Sequence, residues 1–156
     1  MQRNKKRLAL YFLLMLAVMI IIFCFSSQNA EESKDLSNSF SVSFLGKILD
    51  KILPRLYSEN FSTDIRKYAH MFEYLCLGLS SALFSHELFC NNSVVSSLCA
   101  EAICVLYSAS DEWHQTFVPG RSGQFSDVIV DSYGFTTGVL LITVIIFLMI
   151  KRKGRE

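Results

Sequence analysis

Hydrophobic residues fall in blocks along this chain, and the blocks predict four helices. Leu8 to Phe25 (LALYFLLMLAVMIIIFCF) holds neither a charge nor a proline, and an apolar run of about 18 residues is the minimum that crosses a bilayer as a helix. Tyr133 to Ile150 (YGFTTGVLLITVIIFLMI) is a second run of this kind. Two blocks between them are less pure. Tyr68 to Phe84 is interrupted by His70, Glu73 and two serines, and Val94 to Ser110 by serines and Glu101. The expectation is an all-α, integral membrane four-helix bundle: one domain over residues 1–156, with spans near 8–25, 68–84, 94–110 and 133–150. Ser85 to Ser93 (SHELFCNNS) reads as the short polar turn of an antiparallel hairpin.

The first loop carries its own pattern. Phe40, Phe44, Leu45, Ile48, Leu49, Ile52 and Leu53 recur at helical spacing, with Ser43, Lys47, Asp50 and Lys51 opposite and Pro54 at the end. A short amphipathic interfacial helix is expected there, in the first extracytoplasmic loop.

Charge at the ends of the blocks sets the orientation. Arg3, Lys5, Lys6 and Arg7 precede the first span, and Lys151, Arg152, Lys153 and Arg155 follow the last. Positive residues beside a span are retained in the cytoplasm, so both termini are expected there, in a multi-pass protein of the cell membrane. Lys34, Lys47, Lys51, Arg55, Arg66 and Lys67 in the first loop oppose this, but that loop is long and also holds acids, whereas the terminal clusters adjoin their spans. The first run exceeds the apolar core of a signal peptide and no small-residue cleavage site follows it, so the helix is expected to stay attached.

Composition narrows the classes further. The 156 residues are 51% hydrophobic and 19% charged, with 2 prolines and 7 glycines, which excludes a disordered or collagen-like chain. A net charge of +1 offers no footprint for nucleic acid. Of the 5 cysteines, Cys24, Cys76, Cys99 and Cys104 fall within predicted spans and none forms a C-x-x-C pair, so they read as small apolar residues.

The candidate chemistry lies in polar residues at costly positions. Arg66, His70 and Glu73 share a helical face by their spacings, as do Asp111, His114 and Gln115. Glu112 adjoins the second group, Arg121 follows in Pro119-Gly120-Arg121-Ser122-Gly123, and Asp127 and Asp131 sit one turn apart before the last block. In a four-span arrangement the end of the first span, the start of the second, the end of the third and the start of the fourth share one membrane face. Ser26, Ser27, Gln28, His70, Glu73, Asp111, Glu112, His114, Gln115, Arg121, Asp127 and Asp131 are therefore expected to converge on the extracytoplasmic side.

Several motifs together resemble the VanZ-like family of small membrane proteins, named after an accessory factor of teicoplanin resistance. They are Phe25-Ser26-Ser27-Gln28, Arg66-Lys67-x-x-His70-x-x-Glu73-Tyr74 with Gly78, Asp111-Glu112-x-His114-Gln115, Phe117-Val118-Pro119-Gly120-Arg121-Ser122-Gly123, and Asp127-x-x-x-Asp131-x-x-Gly134 with Gly138. The resemblance covers nearly the whole chain. It implies a four-helix membrane protein with these motifs at one face, a role at the cell envelope and a part in glycopeptide tolerance. It implies no particular reaction.

Three readings of the cluster follow. In an enzyme, His70, Glu73, Asp111, Glu112, His114, Asp127 and Asp131 are the catalytic candidates, as acids, bases or ligands of a divalent cation. Arg66, Lys67, Gln115, Arg121, Ser27 and Gln28 would hold an anion or other ligand on a lipid-linked or phosphorylated envelope intermediate. In a binding protein the same residues clamp a membrane lipid or cell-wall precursor without turnover. In the plainest reading, Arg66–Glu73 and Arg121–Asp127 pairs fix helix register, while Gly134-x-x-x-Gly138 and Gly78-x-x-x-Ala82 let helices approach. Glu101 is expected to hydrogen-bond a serine or tyrosine of a neighbouring span.

Overall fold

The computed structural model describes residues 4–29, 61–90 and 92–153, the side chains of 61–67 and 153 excepted. Four helices make it up: α1 (Lys5–Ser26), α2 (Phe61–Leu88), α3 (Ser93–Gln115) and α4 (Phe125–Lys153). There is no strand among the described residues. The expected interfacial helix over 40–53 lies outside them, as do the side chains of Arg66 and Lys67.

Two asparagines start helices. The Asn4 side chain accepts from the Lys6 and Arg7 amides at 3.0 and 3.4 Å, and Asn92 accepts from Val95 at 3.0 Å. Each thereby satisfies N–H groups that the first turn leaves without a partner.

α2 is the central element, packed against α1, α3 and α4. Its Tyr74 and Leu77 meet Met15 and Ile22 of α1, Cys104 of α3 and Phe135 of α4 in the main core. Ala82, Ala100 and Val139 form a smaller core. The axes of α2 and α4 come close because glycines face backbone at the crossing. A Cβ on Gly134 would run into the Met71 carbonyl, and one on Gly78 into that of Phe135. The close contacts expected of these glycines are present.

The blocks correspond to helices, with one difference in composition. α1, α3 and the Phe125–Arg152 stretch of α4 are long and apolar enough to cross a membrane, and they make this a membrane protein; α2 is not. The reason is its position. A helix covered on three sides by protein can carry Ser80, Ser81, Ser85, His86 and Glu87 buried, whereas α1 and α4 turn Leu10, Leu13, Leu140 and Phe147 outward.

The expected polar turn over 85–93 is a correction. Residues 85–88 continue α2, and only 89–92 connect the helices. Glu87 accepts the Asn4 backbone amide at 2.7 Å. His86 Nε2 lies 3.3 Å from Thr143 Oγ1, which is 2.9 Å from Ser97 Oγ. Polar character there serves helix packing rather than chain reversal.

Candidate functional site

Asp111, near the end of α3, is 3% exposed. Its Oδ2 accepts from the Tyr74 hydroxyl of α2 at 3.3 Å and from Gln115 Nε2, one turn further along α3, at 3.4 Å. Asp131, in the second turn of α4, is equally buried and accepts from Ser108 Oγ at 2.9 Å. Both carboxylates are thus held by hydroxyl groups of neighbouring helices.

The connection from α3 to α4 folds back against the end of α3. Gly123 lies so close to α3 that a Cβ there would meet the Glu112 carbonyl. That approach lets the Gln124 amide donate to Glu112 Oε2 at 3.0 Å. Arg121 reaches the end of α1, where its Nη2 donates to the Phe25 carbonyl at 3.2 Å. Its charge also lies within electrostatic range of Glu73 and Glu112.

Electrostatic proximity joins the acids into one group. Asp111 acts on Glu73, Glu112 and Asp131, and Asp127 acts on Glu112 and Asp131. Glu73, Asp111, Glu112, Asp127 and Asp131 therefore form a single cluster drawn from three helices. Taking so many carboxylates out of water is costly unless partners or ligands compensate. Compensation is incomplete: Asp111 Oδ1, Glu73 Oε2 and the hydroxyl of the fully buried Ser26 have no hydrogen-bond partner among the described residues.

The α1 side forms an edge to the cluster. Ser27 Oγ donates to the Phe23 carbonyl at 2.7 Å and lies 3.3 Å from His114 Nε2. The His114 ring packs on Phe23 with centroids 4.8 Å apart. Gln28 is half-buried just beyond, its backbone N–H donating to the Phe25 carbonyl at 3.3 Å. His70 is half-buried on α2, about one turn before Glu73. The structure thus brings the acids, Gln115 and Arg121 together and sets His114, Ser27 and Gln28 at the margin.

Two members escaped reading by residue type. Tyr74 entered only as part of the family motif, and Ser108 not at all. Ser108 stands three residues before Asp111 on one face of α3, and that spacing was the available signal. Glu101 lies apart from the cluster and accepts from Thr136 Oγ1 of α4 at 3.2 Å. The bond to a neighbouring helix was expected; the partner is a threonine.

A divalent cation needs several oxygen or nitrogen ligands at one point. Among the described residues no three His, Cys, Asp or Glu side chains are grouped to hold one.

The model of the VanZ/LLP1 family matches residues 11–148, most of the chain. No curated protein and no solved structure matches.

Proposed function

The chain belongs to the VanZ/LLP1 family, and on that footing we propose that it acts at the extracytoplasmic face of the cell membrane, on or with the cell envelope. Both termini are then cytoplasmic, in agreement with the basic residues that flank α1 and α4. The acidic cluster engages the polar head of a membrane lipid or a lipid-linked wall precursor. Through that engagement the protein raises tolerance to teicoplanin-type glycopeptides more than to vancomycin. One observation carries this reading: Asp111 is almost fully buried, yet one of its carboxylate oxygens has no partner among the described residues. A side chain kept there only for helix register would have both oxygens bonded, because an unmet buried acceptor is destabilising.

The test is Asp111→Asn, which keeps the shape and removes the charge. With membrane abundance equal to wild type, the teicoplanin inhibitory concentration should fall to that of cells lacking the protein. Full tolerance in that variant would overturn the proposal.

A second reading is favoured by the two hydroxyl–carboxylate pairs, Tyr74–Asp111 and Ser108–Asp131. Here the protein is a membrane-embedded enzyme on a lipid-linked or phosphorylated envelope intermediate. Chemical change of radiolabelled envelope lipids incubated with the purified protein separates turnover from binding.

A further inference from the structure

We propose that the bilayer interface crosses this protein at a collar of exposed aromatic side chains, which seats the acid-bearing end among the head groups of the surrounding phospholipids. The partner is the lipid surface itself, and the inference goes beyond the function proposed above without needing it.

The collar draws on every helix. Phe23 and Phe25 are exposed near the end of α1, and Tyr68 and Phe72 toward the start of α2. Trp113 and Phe117, each 69% exposed, stand at the end of α3, and Phe125 and Tyr133 in the first turns of α4. Contacts between helices set these residues at a common level. The His114 ring, next to Trp113, packs on Phe23 with centroids 4.8 Å apart. Gly134, next to Tyr133, lies against the Met71 carbonyl, next to Phe72. The Tyr74 hydroxyl donates to Asp111 at 3.3 Å and so joins α2 to α3 at the same height. The opposite end is built differently. Among the described residues its exposed aromatic side chains are Phe12, Phe89 and Phe147, and Lys5, Lys6, Lys151 and Arg152 are exposed there. Trp and Tyr combine an apolar ring with a polar tip, a combination that favours the boundary between hydrocarbon and water.

Length identifies the collar with that boundary. A helix rises about 27 Å from Arg7 to Phe25 on α1 and from Tyr133 to Lys151 on α4, and about 28 Å from Val94 to Trp113 on α3. The hydrocarbon core of a bilayer is about 30 Å thick. The two ends are thus one hydrocarbon thickness apart, with Leu98, Leu106, Leu140 and Val144 exposed between them. A protein partner covers one face, whereas a band drawn from all four helices calls for a partner that surrounds the molecule. The acids share the level of the collar. Glu73 follows Phe72, Asp111 and Glu112 precede Trp113, and Asp131 stands two residues before Tyr133. Each acid is buried or half-buried where its aromatic neighbour is exposed. On this placement they lie at head-group depth, not among the acyl chains.

Trp113 is the single tryptophan, so the wild-type chain carries its own probe. The full chain is reconstituted in phosphatidylcholine vesicles brominated near the carbonyls, at mid-chain or near the chain end. Trp113 fluorescence should lose most intensity to bromine near the carbonyls and least to bromine near the chain end. Strongest quenching from mid-chain or chain end would overturn the placement, as would quenching by aqueous iodide with none by any brominated lipid. Quenching by neither would mean that protein covers the ring, and would overturn it equally. In a Trp113→Phe background, Phe72→Trp should repeat the shallow profile and Leu140→Trp should give a deep one. Identical profiles from those two positions would overturn the collar as a band. Glycopeptide tolerance does not enter the readout, so this placement and the proposed function can each fail alone.

Discussion

The two ends of this protein bury acidic residues in different ways. At one end Glu87 is 5% exposed and accepts the Asn4 amide at 2.7 Å, while His86 is joined to Thr143 and, through it, to Ser97. Among the described residues only Ser85 keeps an unpartnered hydroxyl there, and an unmet hydroxyl costs less than an unmet charge. At the other end acids from α2, α3 and α4 crowd together, and oxygens of Asp111 and Glu73 lack partners among the described residues. Buried polarity that is internally matched holds helices together. On the function proposed above, the buried polarity left unmatched is held for a ligand, and the stability it costs is supplied by the rest of the fold.

The largest expected effect concerns the frame that both ends share. Gly134→Val would drive a side chain into the Met71 carbonyl of α2, and backbone cannot yield there without separating the helices. Folded protein should disappear from the membrane, as measured by detergent-extractable monomer. Normal accumulation would show that the α2–α4 crossing is not needed to hold either end.

Next in size are substitutions that pull the ends apart. Glu87→Ala removes the acceptor of the Asn4 amide and should cost about 1.5 kcal/mol, the low end for a hydrogen bond to a charged group, because Asn4 itself is exposed. Tolerance per folded molecule should stay unchanged. Asp111→Asn should do the reverse: function lost, with a midpoint of thermal unfolding equal to or above that of wild type. If Asp111→Asn destabilises as much as Glu87→Ala, the two ends are alike and both are structural.

Smaller effects sharpen the contrast. Ser108→Ala removes the donor to Asp131 Oδ2 and leaves another buried carboxylate oxygen without its partner. About 1 kcal/mol of stability should go with it, and function should fall as well. Thr143→Val cuts the bonds to His86 and Ser97. Interhelical bonds in membranes average about 0.6 kcal/mol each, so a slight drop in unfolding midpoint with unchanged function is expected.

The four helices were legible in the sequence because lipid demands long apolar runs. Yet α2 and α4 begin at 61 and 125, well before the apolar blocks at 68 and 133, because their first turns are polar in sequence and give no apolar run to read. The second helix was the hardest to see as a span, and its central place explains why. Its neighbours rather than lipid solvate its serines, His86 and Glu87, so it escapes the demand for apolar composition. The same blindness made residues 85–88 look like a turn.

That Glu73, Asp111, Glu112, Asp127 and Asp131 lie toward one end was also readable from sequence. Spans in alternating directions bring the motifs of Ser27, Glu73, Asp111 and Asp131 to a common face whatever the side-chain detail. Tertiary structure alone decided how they are matched. Tyr74 and Ser108 became the donors to the aspartates, His114 was turned toward Phe23 and Ser27, and Arg121 was carried to the end of α1. Hydropathy and spacing fix depth and face, which one helix can express by itself. Hydrogen bonding between side chains from different helices depends on rotation and approach to within a few tenths of an ångström, and only the packed assembly specifies those.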